Sequence, residues 1–441
     1  MKDSAPTDPA PARPARGRLA VISRALKHRN YRLFFLGQSL SLIGTWMQRV
    51  ALSWLVYRLT DSALLLGIVG FAGQVPAFLV APLAGVLSDR GNRRRMLVAT
   101  QVLSMLQALL LAVLVLGGWI QIWQIIALSM MLGAINGFDM PVRQAFLVEM
   151  VDERQDLGNA IALNSTMFNG ARLAGPTVAG LLIALAGEGV CFLLNAVSYL
   201  AVIGSLLAMR LRPRSERLER RGKADMAQGL REAWRYVTGF QPIRAILVLL
   251  MVFNFVAMPY TVLLPVFARD ILGGGPDTLG FLMAGAGVGA LSGALYLASR
   301  RTVLGMGRLI TLSAGVFCLA LCAFTLSRWT WLSLLLMVPV GFGQMIQMAG
   351  SNTLLQTLVE DDMRGRVMSF HTMAFMGSFP LGSLLLGWLA DHWSAPWAVA
   401  GGALAYLACA LLALPRLPEL RRQAHLVYAR RGIIEEAPGL S

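Results

Sequence analysis

Long apolar stretches carrying few charges, separated by short polar turns, account for most of this chain. Twelve such stretches occupy 33–57, 64–87, 96–116, 121–139, 159–184, 190–209, 244–268, 277–298, 307–327, 330–350, 368–390 and 394–414. About 20 helical residues are needed to cross the hydrocarbon core of a bilayer, and each stretch is close to that length. Backbone groups inside lipid must satisfy one another, which leaves helices or closed barrels. The alternating ten-residue pattern of a membrane barrel is absent. The pattern therefore predicts an all-α integral membrane fold with twelve transmembrane helices.

The largest polar interruption, 210–243, has six apolar stretches on either side. Within it Met226, Leu230, Trp234 and Val237 form an apolar stripe beside Arg231 and Arg235. That spacing predicts an amphipathic helix lying on the membrane surface. The flanking halves look alike. At one fixed offset of 207, Gly158, Gly170, Gly175 and Gly180 meet Gly365, Gly377, Gly382 and Gly387. Glycines let helices approach closely, so the fifth and eleventh stretches are expected to hold equivalent packed positions. The expected organisation is a basic tail over 1–32, an N-terminal six-helix bundle over 33–209, a linker over 210–243, a second, pseudo-symmetric six-helix bundle over 244–414, and a tail over 415–441.

Composition agrees: 56% of residues are hydrophobic, 14% are charged, and the mean hydropathy is +0.62. A net charge of +16 could point to nucleic acid, but its placement argues otherwise. With both termini cytoplasmic, 34 of the 39 Lys and Arg fall on the cytoplasmic side, ten of them from Arg210 to Arg244. Arg58, Arg269 and Arg328 fall on the other, and Arg49 and Arg172 lie within spans. This is the positive-inside asymmetry of a multi-pass protein of the cytoplasmic (inner) membrane. The N-terminal Pro/Ala/Arg tail has no short apolar core with a small-residue cleavage site, so a cleavable signal is not expected there. Cys191, Cys318, Cys322 and Cys409 all fall in spans, with no His or acid nearby to complete a metal site. Neither a P-loop nor a nucleophile constellation is present, so the reading is neither an ATP-driven pump nor an enzyme, and no cofactor is implied.

One turn concentrates charge. In "GVLSDRGNRRRML", Asp89 and four arginines share seven residues. Gly85, Asp89, Arg90, Arg93 and Arg94 match in register the G-x-x-x-D-R-x-G-R-R signature between the second and third spans of the major facilitator superfamily, which the chain resembles over about 30–415. Asn92 stands where glycine is usual; Asn also tolerates left-handed backbone. The resemblance implies a carrier in which this loop stabilises the outward-open state. Physically, Asp89 could meet the positive N-terminal end of the eleventh span and clasp the halves on the cytoplasmic face, with Arg364 and Arg366 joining it, or the cluster could only orient the chain. "NYRLFFLGQSLSLIGTWMQRVALSWLVYRLT", "DMPVRQAF", "NAIALNS" and "ARLAGPTVAG" further resemble the enterobactin-exporter branch, the transmembrane secretion effectors, whose members expel siderophores and other small molecules. "GPTVAG" approximates an antiporter signature. There Gly175 and Pro176 would form a hinge, or would simply pack closely.

Arg49 and Arg172 lie at depth, where a charge is costly and is expected to face protein or a watery cavity. All carboxylates sit in tails, loops or span ends, those nearest depth being Asp139 at the inner end of span four and Asp391 at the outer end of span eleven. Unpaired arginines imply an anionic group on the substrate. Arg49, Arg172, Gln48, Asn254 and Gln347 are the candidate cavity residues, with Trp46, Trp54, Phe253 and Phe255 as candidate aromatic walls. Asp139 and His371 are the candidates for proton coupling, although Asp139 could instead pair with Arg143 one turn on. The expected protein is a monomeric alternating-access exporter of a siderophore or similar small, anionic organic molecule, using the proton gradient. Broad drug efflux and uptake of an anionic metabolite are the alternatives.

Overall fold

The computed structural model describes residues 24–151, 153–210, 226–300, 302–360 and 363–430. Among these the ordered elements are helical. The long helices are α1 (Arg29–Thr60), α2 (Ala63–Arg90), α3 (Arg93–Leu116), α4 (Ile122–Leu147), α5 (Leu157–Ala186) and α6 (Glu188–Ala208). After the linker helix α7 (Met226–Gly239) come α8 (Gln241–Ile271), α9 (Pro276–Ser299), α10 (Met306–Leu326), α11 (Thr330–Leu358), α12 (Arg364–His392) and α13 (Ala395–Ala413). A final helix, α14, covers Leu417–Arg430. Eleven helices among the described residues are long and apolar enough to cross a membrane. The other long helix, α1, is 32 residues long and carries Arg29, Arg32, Arg49 and Arg58, which dilute its apolar character.

Turn chemistry fits the breaks. Ser62 caps α2 by accepting from the Leu65 N–H at 3.2 Å, and Asn92 caps α3 by accepting from the Arg95 N–H at 3.1 Å. Asn92 is extended, with φ −78°, so the signature turn uses this residue as a helix cap and not for left-handed backbone. The helices α8 and α11 each contain π-helical turns, at Phe253–Ala257 and Phe267–Ile271 in α8 and at Ile346–Gly350 in α11. Such turns insert one residue into the ladder and re-aim the side chains that follow.

Within α1–α6 the strong packing partners are α2 with α4, α1 with α6, α3 with α6 and α1 with α5; within α8–α13 they are α9 with α11, α10 with α11 and α10 with α13. Two extensive contacts cross from one set to the other, α2 with α12 and α5 with α9. The repeated glycines occupy matching contacts. A Cβ on Gly175 would lie 2.4 Å from Trp46 Cβ of α1, and one on Gly382 would lie 2.0 Å from the Phe255 carbonyl of α8. One on Gly180 would meet α9 at the Pro276 carbonyl, and one on Gly387 would meet α2 at the Ala63 carbonyl. Gly158 and Gly365 have nothing within 4 Å of that position. Trp119, Trp123, Trp329, Trp331, Trp393 and Trp397 are exposed, all at the end away from the arginine-dense turns, as in an interfacial aromatic belt.

In the linker helix, Val237 is buried in a cluster with Ile243, Leu247, Leu355, Val359 and Val367, so the last turns of α7 pack on protein at the basic end, while Trp234 stays exposed. Trp234 lies 6.0 Å from Phe370, and Arg366 donates to Glu232 at 2.5 Å. Arg366 is thereby tied to the linker. The side chains of Met226 and Leu230 lie outside the described residues, as do 1–23, 211–225 and 431–441 of the tails and linker.

Candidate substrate cavity

Three side chains converge between α1 and α5. Trp46 and Arg49 stand one turn apart on α1, and the Arg49 guanidinium lies 4.7 Å from the centre of the Trp46 ring. From α5, the Arg172 guanidinium approaches the same ring at 5.9 Å. Phe168, one turn before Arg172, meets Trp46 edge-on at 5.8 Å. Gly175, a turn further along α5, permits this approach because any side chain there would strike Trp46. The two arginines are within electrostatic range of each other, and Arg172 is within range of Tyr260 on α8 in the other set of helices.

Neither arginine has a carboxylate partner among the described residues. Arg49 is solvent-accessible, and Trp46 and Arg172 are half-buried. Two cations at one aromatic ring, with no carboxylate beside them among the described residues, make a local excess of positive charge. Such an arrangement suits a planar anion: guanidinium forks match carboxylate or phosphate geometry.

Other expected cavity residues are placed differently. Gln48 is 2% exposed and closed into a network within α1, α3 and α6: it donates to Gln107 at 3.0 Å and accepts from Asn195 at 2.6 Å. Its amide is spent on contacts among these three helices. Asn254, in a π-turn, is buried and donates to the Leu250 carbonyl at 2.9 Å, leaving its Oδ1 without a partner. Gln347, in the π-turn of α11, is buried with both amide atoms unpartnered. These two are sealed from solvent yet keep unspent hydrogen-bonding capacity. Trp54 is buried, and Phe253 packs against Phe317 and Tyr406, so both are core rather than cavity wall.

Asp139 is buried with both oxygens engaged. Thr100 and Gln101 donate to Oδ1 at 2.8 and 2.7 Å, and Oδ2 is ion-paired with Arg143. His371, half-buried near the start of α12, has an unpartnered Nε2. Pro176 lies inside an uninterrupted α5, and its carbonyl would meet a Cβ on Gly280 at 2.5 Å. The Gly175-Pro176 pair is thus a close-packing point against α1 and α9.

In the signature loop, α2 continues through Gly85, Asp89 and Arg90. The side chains of Asp89 and Arg90 lie outside the described residues. Arg93 bonds the Ala145 carbonyl at 3.2 Å and Glu149 at 2.8 Å, and Arg94 bonds the Leu207 carbonyl at 2.6 Å. These two arginines staple the basic ends of α3, α4 and α6 to one another. Sequence reasoning gave no role to the opposite end, where Tyr57, Asp61, Arg269, Asp270 and Asp391 pair across the two helix sets. The signal available was that these few charged residues all fall at span ends on the sparsely charged side.

A sequence model described as transmembrane secretion effector matches residues 23–430. The staphyloferrin A transporter of Staphylococcus aureus is 27% identical over 359 residues, covering 81% of this chain and 89% of that protein. The multidrug efflux pump Tap of Mycolicibacterium fortuitum is 28% identical over 360 residues, covering 79% and 86%. In fold, the chain is similar to a bacterial homologue of the human lysosomal transporter Spinster, solved in an inward-facing, unoccupied conformation. The TM-score is 0.65 at 13% identity, covering 93% of this chain and 99% of that one.

Proposed function

The chain belongs to the transmembrane secretion effector family of the major facilitator superfamily, and from that premise we propose that it exports a small anionic organic molecule of the siderophore kind. Its place is the cytoplasmic membrane, with α1 as the twelfth span and both termini cytoplasmic. The two bundles, 33–209 and 244–414, rock about a site lined by α1 and α5 on one side and α8 on the other. The matched glycine contacts and the basic turns at one end support this arrangement.

The observation that carries the substrate class is the pair Arg49 and Arg172 at the Trp46 ring, without a carboxylate partner among the described residues. A carboxylate, catecholate or phosphate placed there would complete what the protein leaves unpaired. Broad drug efflux is the second reading, favoured by the aromatic Trp46–Phe168 wall and by the likeness to a multidrug pump. Cationic drugs would not choose a site with two arginines.

Export is driven by the proton gradient on this reading. With Asp139 occupied by Arg143, the unpartnered His371 is the freer proton carrier. The test is metabolite profiling of spent medium from a deletion strain grown under iron limitation. An anionic compound missing outside and accumulating inside supports export. An unchanged exometabolome, together with lost resistance to cationic drugs, would favour the second reading.

A further inference from the structure

At the sparsely charged end, carboxylates face a helix terminus across the division between the two helix sets. Asp391, on the last turn of α12, accepts from the Ala63 N–H at 2.6 Å and from the Ser62 hydroxyl at 2.8 Å. Ser62 is the N-cap of α2 and Ala63 its first residue. A carboxylate in that position meets free N–H groups and the positive end of the helix dipole. Beside it, Arg269 Nη1 lies 2.5 Å from Asp61 Oδ1, Tyr57 donates to Asp270, and the Arg269 guanidinium lies 5.7 Å from the Tyr57 ring centre. Asp61 has φ 46°, a left-handed backbone unusual for a residue with a side chain. That conformation ends α1 and turns the chain at once into the cap of α2.

Beneath these contacts the helices nearly touch. A Cβ on Gly67 would lie 2.4 Å from the Ser383 carbonyl, and one on Gly387 would lie 2.6 Å from the Ala63 carbonyl. Towards the basic end the same helix pair loosens: a Cβ on Gly377 would meet only the rim of Phe78, at 3.7 Å, and one on Gly365 would meet nothing within 4 Å.

We propose that Asp391 on the start of α2, with the Asp61–Arg269 and Tyr57–Asp270 pairs, is the outer gate of the carrier, a polar lock whose release lets the cavity open outward. The word "outer" rests on the orientation proposed above; the lock itself does not. The helices α2 and α12 run antiparallel, and each reaches its last turn with an aspartate, Asp89 and Asp391. Asp391 performs at one end the task that the sequence suggests for Asp89 at the other. Engaging one end then favours the state in which the other is free.

The test uses the full chain carrying Ser383→Cys, a position fully buried at the α2–α12 contact. It is reacted with a membrane-impermeant maleimide on whole cells and on everted vesicles, and labelling of the parent chain's own cysteines is subtracted. Asp391→Asn and Asp61→Asn are each expected to raise the labelling rate at position 383 by about tenfold, from one face only, as loss of a helix-terminus or paired charge would. The charge exchange Asp61→Arg with Arg269→Asp is expected to return the rate towards the parent value. No rise with either single substitution, from either face, overturns the gate. A rise confined to everted vesicles supports the lock and overturns the proposed orientation. Should Asp391→Asn fail to accumulate in the membrane, Asp61→Asn and the charge exchange decide.

Discussion

Asp139 and Arg143 offer a direct test of whether a membrane-embedded carboxylate here is structural or carries protons. Asp139 is 2% exposed, accepts from Thr100 and Gln101, and is ion-paired with the Arg143 guanidinium. Replacing it with Asn keeps the volume but removes the counter-charge of Arg143 and places an NH2 group among donors. Losing one member of a fully buried pair costs about 3–5 kcal/mol. The Arg143 side chain is 25% exposed, so water recovers part of that, and the expected loss is about 2–3 kcal/mol. Removing both charges, as Asp139→Asn with Arg143→Met, should return stability to within about 1 kcal/mol of the parent, because no unpaired charge is left. The assay is a double-mutant cycle on the detergent-solubilised chain, following its melting by tryptophan fluorescence, beside proton-driven efflux in vesicles. A single variant that melts with the parent, or a double variant as unstable as the single, refutes the ion-pair account. A structural carboxylate also requires that the double variant keep coupled efflux; a proton-carrying Asp139 loses it in both.

Three further outcomes follow from the same geometry. Arg172→Gln should weaken export of the anionic substrate by about ten- to a hundredfold in apparent affinity, the value of a hydrogen bond to a charged group, and Arg172→Lys should fall between; unchanged concentration dependence of vesicle flux would remove Arg172 from the site. Gly289→Ala should lower the melting midpoint sharply, because its Cβ would lie 1.9 Å from the Val338 carbonyl, whereas Gly170→Ala, with nothing within 4 Å, should be neutral or slightly stabilising. At the basic end, the His28 Nε2–H bond at 3.1 Å holds the Asp156 carboxyl below the usual carboxylate range, helped by Arg24 and Lys27. A depressed folded-state pKa stabilises above the ordinary range and is lost as pH falls through the folded value. Melting followed below about pH 4 should therefore show an acid limb that Asp156→Asn flattens.

How much of this was legible depended on whether the cause was local. Span positions followed from run length, and the offset of 207 between glycines was readable because close helix contacts exclude side chains at fixed places. Trp46 and Arg49 could be placed on one face of α1 by their spacing. By the same rule Gln48, one residue from Arg49, points about 100° away, and that was a reason to assign it to packing. The arrival of Arg172 on the same tryptophan joins residues 126 positions apart, and no periodicity encodes it. Asn254 and Gln347 sit in π-turns, where the 3.6-residue period that assigns faces no longer holds. Asp391 read as a charge near a span end; its partner, the first N–H of α2, is a backbone group with no signature of its own.

Charge is divided by depth, and the division bears on mechanism. Several carboxylates at helix ends are engaged: Asp391 on α2, Asp61 with Arg269, Glu188 with Arg58 at 2.7 Å, and Asp156 with Arg24 at 3.0 Å. Arg49 and Arg172, at depth, have no carboxylate partner among the described residues. Two cations held near each other in a medium of low dielectric repel, and closing water out around them raises that cost. An anion bound between them removes it. On the proposed reading, the loaded carrier can therefore seal its cavity at lower cost than the empty one. Coupling of movement to occupancy then needs no separate device beyond the missing counter-charge.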